Sequence, residues 1–456
     1  MKITTTYVYL ILFCISQFSA GSASYSRALQ EASPFQQIGQ TIISTSSEEH
    51  SGAIDISNDG NYVAVGSPHA GDNNQGEVTV YKSVLVQGEL EWKQFGNTIE
   101  GKVESDHFGI SVTLSENGSF LAVGSLADNE KGDVKLFRYK NNKWKFITTI
   151  LGEFEGDRFG FSIDLSDNGK ILAVGDNPTT DLLGETDPFV QMYECEMGEC
   201  KKLGSAVSGR TVSLSSDGLT AAVGNPAWNN KKGEVTIYTF DSVSTPWTQQ
   251  LSAKQGTKDG DRVGFSVALS SNGETVAYGA IGVNCYNETT DALSIEDCGA
   301  VRIFSTADGT ELGNGIPSSA SRELLGMDVD LSDDGLAIIV TSLGPNNEGI
   351  ATIYTFNAGF NNWDLVQQFQ GDPIGIDLTL KADLSADGQR AVVLGQGPSG
   401  TNIVQVFEAV QSSASSTAPK SNKSNKSENS KSKKSKKSKK SKKSKKSKKS
   451  NKSKGK

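Results

Sequence analysis

Residues 106–124 read DHFGISVTLSENGSFLAVG, and copies of this stretch decide the fold. Apolar and polar residues alternate over positions 109–115, which is typical of a half-buried β-strand. Asn117-Gly118 then predicts a tight hairpin turn in which both central residues take positive φ. The continuous apolar run at 120–123 predicts a second strand that is covered on both faces. The stretch therefore indicates a β-hairpin with one deeply buried strand.

The same pattern occurs seven times along the 456-residue chain. Each copy contains four strand-like pieces, exemplified by residues 92–99, 109–115, 120–124 and 132–139. Four strands repeated with one period are typical of a β-propeller, in which each unit covers its neighbours. We therefore predict an all-β protein, a seven-bladed β-propeller of four-stranded blades. The turn glycines, spaced by 49 to 62 residues, are Gly60, Gly118, Gly169, Gly218, Gly273, Gly335 and Gly388.

A linear β-solenoid and a pair of β-sandwiches are the alternatives to a propeller. Solenoid repeats are usually shorter than these units, and two sandwiches would not repeat with one period. In a closed ring, the first strand, within residues 35–42, is expected to pair near the last unit at residues 403–408. The sequence leaves the phasing of the individual blades open.

The repeats resemble FG-GAP repeats, the blades of integrin α-subunit propellers, over residues 35–408. The Phe-Gly pair is present at Phe108-Gly109 and Phe159-Gly160, and Val263-Gly264 is close to it. The Gly-x-Pro half of the pattern appears at residues 66–68 and 224–226. The Ser-x-Asp-Gly before the buried strand is also similar to WD-type blades. Four units depart from Phe-Gly, with His50-Ser51, Ser208-Gly209, Leu325-Gly326 and Leu378-Thr379 in its place.

The FG-GAP resemblance implies calcium binding through loops that carry aspartates at alternate positions beside a glycine. The corresponding loops here, at residues 58–60, 116–118 and 332–335, offer only one or two carboxylates each. Turn residues chosen for backbone geometry are the favoured interpretation. The polar loops at 72–76 and 128–132 are likewise interpreted as solvated. We therefore predict no cofactor, and we leave calcium dependence open.

The chain has three histidines, His50, His69 and His107, in different loops of the first two units. No nucleophile elbow, phosphate-binding loop or zinc-protease motif accompanies them. We therefore expect that the protein is not an enzyme, with a propeller hydrolase or lyase as the less favoured class.

Residues 1–23 have the features of a secretory signal peptide. Lys2 gives a positive start, residues 7–15 form an apolar run, and Gly21 and Ala23 fit the small positions before a cleavage site. Nine apolar residues are too few to span a bilayer, which takes about 20. We predict cleavage after Ala23, a linker at 24–34, a propeller at 35–409 and a protein that is secreted without a transmembrane segment. An uncleaved anchor and a core helix are the alternatives.

Four cysteines remain after removal of Cys14, and four allow three pairings. Cys195 and Cys200 are five residues apart, which indicates a hairpin staple, and Cys285 and Cys298 bracket one inserted loop. Local pairing favours Cys195–Cys200 and Cys285–Cys298 in an oxidising compartment. Free thiols and, less favoured, a zinc site are the alternatives.

Two Asn-x-Ser/Thr sequons are candidate glycosylation sites in a secreted protein. Asn287 begins Asn-Glu-Thr inside the inserted loop, and Asn117 begins Asn-Gly-Ser on the turn itself. The turn position is the less favoured of the two on steric grounds.

The carboxyl-terminal segment, residues 410–456, is predicted to be disordered. From Lys420 onward it carries 19 lysines and one acid, so it bears a charge of +18 against −27 for the rest of the chain. Such dense like charge repels itself, and nothing apolar is available to bury. The predicted polyanion-binding residues, in six Ser-Lys-Lys triplets, are Lys433, Lys434, Lys436, Lys437, Lys439, Lys440, Lys442, Lys443, Lys445, Lys446, Lys448 and Lys449.

The Ser-Lys-Lys tail is similar in composition to segments of silaffin-like proteins of diatom cell walls, which implies silica as a candidate surface. No aromatic residue lies among the lysines, so nucleic acid is not an expected partner. A solubility tail is the alternative. The leading functional expectation is a secreted interaction or scaffold protein of the extracellular matrix or cell wall, whose propeller binds protein or glycan. An integrin-like adhesion protein with divalent-ion-dependent binding is the second.

Overall fold

The computed structural model describes residues 34–44, 52–126, 131–178, 187–196, 198–240, 247–287, 292–295, 297–318, 322–344, 348–370, 377–396 and 401–410. These residues form seven antiparallel four-stranded blades, so the predicted seven-bladed β-propeller is confirmed. The chain divides into a unit at 1–411 and a unit at 412–456, and the second unit lies wholly outside the described residues, as do residues 1–33.

In blades 1 to 6 the chain begins with the innermost strand and ends with the outermost one, whereas blade 7 takes its outermost strands from the amino terminus. Blades 1 to 3 contain β3 (Ala53–Ile56), β4 (Tyr62–Ser67), β5 (Glu77–Val86), β6 (Glu89–Gln94) and β7 (Ile99–Glu100); β8 (Ser111–Leu114), β9 (Phe120–Ser125), β10 (Asp133–Lys140) and β11 (Lys143–Leu151); and β12 (Ser162–Leu165), β13 (Ile171–Gly175), β14 (Phe189–Glu196) and β15 (Glu199–Ser208).

Blades 4 to 7 repeat this order. They contain β16 (Thr211–Leu214), β17 (Thr220–Asn225), β18 (Glu234–Thr239), β19 (Thr248–Gln249) and β20 (Lys254–Gln255); β21 (Val263–Leu269), β22 (Thr275–Ala280), β25 (Ala300–Ser305) and β26 (Ile316–Pro317); β27 (Val329–Leu331), β28 (Ala337–Leu343), β29 (Gly349–Asn357) and β30 (Asn362–Gln370); and β31 (Asp377–Leu384), β32 (Arg390–Gln396) and β33 (Asn402–Ala409), with β1 (Phe35–Gln37) and β2 (Ile42–Ser44). A helical turn, α1 (Trp228–Lys231), lies in blade 4, and β23 (Cys285–Asn287) pairs with β24 (Ala292–Ile295) in the blade 5 insertion.

The amino-terminal strands close the ring, as predicted. Phe35 pairs with Ala409 and Ile42 with Val404, so β1 and β2 complete blade 7 from the opposite end of the chain. The phasing also becomes clear, because residues 92–99 form the outer edge of blade 1 and not the start of blade 2. Each sequence copy therefore begins one strand before its blade. The second strands are covered on both faces, with Leu121, Ala122 and Val123 fully buried.

The turn after each innermost strand differs from the predicted two-residue hairpin. Gly60 has φ of 67°, but Asp59 is not among the residues with positive φ, and Ile56 pairs with Val63. The loop is therefore longer than two residues, and only its glycine takes the left-handed conformation. The serine three residues before each turn glycine holds the loop together through its side chain. In all seven copies its hydroxyl donates to the Asp or Asn two residues later and accepts from the N–H five residues later.

Four tryptophans join the outer edges of neighbouring blades. Trp144 on β11 is 5% exposed, and its indole N–H donates to the Phe95 carbonyl of blade 1 at 2.9 Å. Its ring covers Gly96, where an added Cβ would lie 2.9 Å from Cδ1. The four equivalent bonds run from Trp92 to Ile38, Trp144 to Phe95, Trp247 to Leu203 and Trp363 to Leu312.

We expect Trp144→Ala to lower the free energy of unfolding by about 3–5 kcal/mol, because it leaves a cavity between blades 1 and 2. Trp144→Phe keeps an aromatic ring but loses the indole donor, so its cost should be about 1–2 kcal/mol. Urea unfolding followed by tryptophan fluorescence and circular dichroism measures both variants. Equal stability of the two variants would contradict the proposed contribution of packing.

Candidate functional site

A polar channel runs along the ring axis between the innermost strands. Its volume is about 110 Å³, which is enough for several waters. The wall includes six carboxyl groups, those of Asp167 and Asp333 among them. The other four, from Asp55, Asp164, Asp330 and Asp383, lie at equivalent positions of blades 1, 3, 6 and 7. The channel is therefore lined by acids that the repeat itself positions.

Each of these four acids also joins its own blade to the next one. Each carboxylate accepts a hydrogen bond from the backbone N–H of a residue on the innermost strand of the following blade, and Ser213 accepts one in the same way through its hydroxyl. The pairs are Asp383 with Ile56 (2.7 Å), Asp55 with Leu114 (2.9 Å), Asp164 with Leu214 (2.7 Å), Asp330 with Leu384 (2.9 Å) and Ser213 with Leu269 (3.1 Å).

Burial raises the pKa of all four carboxyl groups. The pKa of Asp164 rises to about 6, because burial outweighs the N–H bonds from Leu214 and Leu165. The pKa of Asp330 rises well above its usual range through burial and the charge of Asp383. The Asp330 side chain in turn lowers the pKa of Asp383, so we assign the proton of this buried pair to Asp330 and the negative charge to Asp383.

A basic site lies on the face of the ring where the innermost strands begin. Arg210 directly precedes β16, and its guanidinium lies 5.6 Å from the ring centroid of Phe161 and 5.0 Å from that of Phe265. Burial and the charge of Arg262 lower the Arg210 pKa to about 10, so the group stays charged at neutral pH. Its buried Nε has no hydrogen-bond partner among the described residues. We call Arg210, Phe161 and Phe265 the arginine site.

An arginine between two aromatic rings can bind an oxyanion. The two rings stabilise the guanidinium through cation–π contacts, and a guanidinium carries a planar fork of donors that suits carboxylate, sulfate and phosphate groups. No ion pair links Arg210 to an acidic side chain among the residues that the structure describes. The site therefore has the charge and donors to take an external anion.

The cysteine predictions have separate outcomes. Cys195 and Cys200 form a disulfide across the β14–β15 hairpin, with their Cα atoms 4.1 Å apart, which confirms the predicted staple. Cys298 is fully buried and also disulfide-bonded. The side chain of Cys285 lies outside the described part of the chain, so the Cys285–Cys298 pairing stays a prediction.

The modification sites remain predictions. Asn117 is exposed, and its Oδ1 accepts from the N–H of Ser119 at 3.1 Å within the turn. The side chain of Asn287, the cleavage position Ala23 and the tail lysines lie outside the described residues. Among the described residues, no helix has the length and apolar character that crossing a bilayer requires.

Two of the three histidines meet, although they come from different loops. The rings of His69 and His107 lie edge to face with centroids 4.8 Å apart, and the Nδ1 of His107 lies 2.7 Å from the Ser105 carbonyl. His50 lies outside the described residues. Within the described ranges, no three His, Cys, Asp or Glu side chains are grouped as a metal site would require.

Sequence reasoning missed both the channel and the arginine site. The channel has a signal in the chain, since Asp-Ile-Ser or Asp-Leu-Ser recurs at residues 55–57, 164–166, 330–332 and 383–385. Arg210 also stands where Ile110, Phe161, Phe265 and Met327 follow the Phe-Gly positions of other units. The sequence therefore shows a charged residue at an otherwise apolar repeat position, but it does not show which residues surround that charge.

No protein-family model matches the chain, and no curated protein matches its sequence. Among solved structures, a chain of the mitotic checkpoint complex is 16% identical with a TM-score of 0.49, covering 82% of this chain and 93% of its own. The periplasmic gluconolactonase of Pseudomonas aeruginosa is 14% identical with a TM-score of 0.45, over 70% and 85%. Sqt1 of Saccharomyces cerevisiae is 14% identical with a TM-score of 0.41, over 80% and 99%. None of these likenesses bears on what this chain binds.

We expect the stability of the ring to fall as pH rises through the pKa values of the channel acids. A carboxyl whose pKa is higher in the folded state binds more protons there, so folding is favoured at low pH. For Asp164 the window runs from the ordinary value of 3.8 to about 6. Thermal unfolding measured from about pH 4 to about pH 8, roughly the span of these shifts, gives the slope.

Asp330→Asn and Asp383→Asn separate the two members of the carboxyl pair. The amide introduced by Asp330→Asn can still accept from Leu384 and donate to Asp383, so this variant should keep its stability and flatten the pH slope. Asp383→Asn removes acceptor capacity that Ile56 and Leu384 use, so it should cost about 1–3 kcal/mol. Equal effects of the two substitutions would contradict the assignment of the proton to Asp330.

Proposed function

We propose that this protein is a secreted, non-enzymatic interaction protein of the extracellular matrix or cell wall. Its propeller would bind an anionic group of a protein or glycan at the arginine site, and its lysine-rich tail would bind polyanionic surfaces, with silica as a candidate. The observation that carries the proposal is the guanidinium of Arg210, which lies between Phe161 and Phe265 without an acidic partner among the described residues.

Electrostatics support an anionic ligand. The propeller is part of a chain with net charge −9, yet burial and a neighbouring arginine act against the charge of Arg210. Burying an unpaired cation costs desolvation free energy, and an oxyanion that accepts two charge-assisted hydrogen bonds would offset this cost. A carboxylate or sulfate of a glycan, or an acidic side chain, has this geometry.

Secretion is supported by the apolar leader and by the Cys195–Cys200 disulfide. Disulfides persist in oxidising compartments, and this bond staples a hairpin of blade 3. The buried Phe108 and Phe159, each followed by a left-handed glycine, favour a relationship to FG-GAP blades as part of the same proposal. An adhesion role would follow from that relationship.

The arginine site is tested with small anionic sugars, such as a sulfated and a carboxylated disaccharide, against the neutral parent sugar. Arg210→Gln should weaken binding of the anionic sugars by roughly 10- to 100-fold, because it removes a charged donor pair. Arg210→Lys should lie between the two, since lysine lacks the planar fork. Titration calorimetry measures all three proteins.

Arg138→Gln is the matched control. Arg138 also lies over an aromatic ring, 5.3 Å from that of Phe120, but it is exposed on β10. Its loss should leave sugar binding unchanged. Equal binding by wild type and Arg210→Gln, or equal affinity for neutral and anionic sugars, would refute the arginine site as the binding position.

The tail is tested separately by pull-down on silica and on acidic polysaccharide. Protein with residues 420–456 should bind both, and its binding should fall steeply as salt rises through about 0.1 M, where the screening length is about 10 Å. A chain ending at residue 411 should lose this binding while retaining the sugar affinity of the arginine site. Retention of surface binding after truncation would place the polyanion contact on the propeller.

A further inference from the structure

Blade 2 contains a built-in cation on the face where the innermost strands begin. The Lys135 ammonium lies 2.7 Å from both oxygens of Asp133, 3.0 Å from the Ser125 hydroxyl and 3.6 Å from Asp106. Asp106 and Asp133 are buried, and the Ser125 hydroxyl also donates to Asp133. One lysine thus neutralises two buried carboxylates at this position.

Blade 3 repeats the same backbone with different side chains. Asp157 corresponds to Asp106, because its carbonyl accepts from Asn177 at 2.9 Å as the Asp106 carbonyl accepts from Leu126. Asp176 corresponds to Ser125, since each follows the second-strand glycine that pairs with a valine of the third strand. The two aspartates therefore share the position at which blade 2 has Asp106 and Ser125.

The cation of blade 2 has no counterpart in the described part of blade 3. The register places Gln191 where blade 2 has Lys135. The amide of Gln191 donates to the carbonyl of Met192 at 2.9 Å and points to the outer strand, where Leu203 and Gly204 are its further acceptors. Glutamine thus leaves the position without a positive charge.

The two aspartates of blade 3 are buried, and no positively charged side chain compensates them among the described residues. Asp157 is 5% exposed and Asp176 is 1% exposed, and the Asp157 Oδ2 is buried without a hydrogen-bond partner among the described residues. Phe189 donates to Asp176 Oδ1 at 2.7 Å. The Asp157 charge is close enough to raise the pKa of Asp176, and only backbone N–H donors act in the opposite direction.

We infer that Asp157 and Asp176 bind a small, hard divalent cation of the calcium class, at the position that the Lys135 ammonium takes in blade 2. Two buried like charges are costly without a counter-ion, and a divalent cation neutralises both. Calcium prefers oxygen ligands, and with only two carboxylates the rest of its shell comes from water and backbone carbonyls. This small ligand set corresponds to a weak, extracellular type of site, with Kd of about 10⁻⁴–10⁻³ M.

The inferred cation site is separate from the turns that the FG-GAP resemblance indicated. In those turns the aspartate oxygens are used by the backbone, as Asp217 Oδ1 is by Ser215 and Leu219 at 2.7 and 2.9 Å. It is also independent of the arginine site, because no residue is shared between them. A variant that abolishes cation binding would therefore leave anion binding at the arginine site measurable, and the reverse also holds.

The test is calorimetric titration of the full chain with calcium chloride alone, followed by sodium and magnesium. Wild type should bind one calcium, and Asp157→Asn and Asp176→Asn should each weaken it at least tenfold. Gln191→Lys should abolish binding, because the new ammonium would occupy the position as Lys135 does. Asp217→Asn, at a turn of blade 4, is the control and should bind as wild type does.

The reciprocal variant Lys135→Gln is expected to gain binding, whereas destabilisation of the fold could only reduce it. It should open a second site between Asp106 and Asp133 and raise the stoichiometry from one to two. Absence of calcium binding by wild type up to about 10 mM, ten times the weak limit of this class, would overturn the inference. Unchanged affinity in both Asp157→Asn and Asp176→Asn would overturn it as well, as would a preference for sodium over calcium.

Discussion

Backbone-to-backbone contact between neighbouring blades is the constraint on which the ring depends. The glycine that ends the second-strand motif of one blade faces the glycine of the Phe-Gly position in the next, and an added Cβ on Gly264 would lie 2.8 Å from the Cα of Gly224. The same clash occurs between Gly326 and Gly279, at 2.7 Å. Side chains at these positions would force the blades apart, so the glycines allow the close approach of neighbouring blades.

The narrow channel explains its chemistry. Because the innermost strands are close, a carboxylate on one strand reaches the N–H of the next, as Asp55 reaches Leu114. The same closeness brings the carboxyls toward each other and away from bulk water, which raises their pKa values, that of Asp330 well above its usual range. The same geometry thus both joins the blades and favours protonated carboxyl groups at the axis.

Functional candidates lie where one repeat departs from its neighbours. Arg210 replaces an apolar residue, and Asp157 with Asp176 lacks the lysine that neutralises blade 2. Residues that are the same in all seven blades, such as the serine of each turn, use their side chains in hydrogen bonds that stabilise the turn. Comparison between blades therefore separates residues that form the ring from residues that are available for binding.

The chain by itself determined the number of blades, the ring closure by residues 35–42, the Cys195–Cys200 staple and the buried second strands, because these follow from local periodicity and turn chemistry. It did not determine the blade phasing, because each sequence copy begins one strand before its blade. It did not determine the longer turn either, because bonds to the serine hydroxyl stabilise a loop in which only the glycine has positive φ. Only the tertiary structure decided that Asp330 lies beside Asp383 and Arg210 between Phe161 and Phe265. Each of these groups joins residues about 50 positions apart, and contacts over that span depend on how one blade packs against the next.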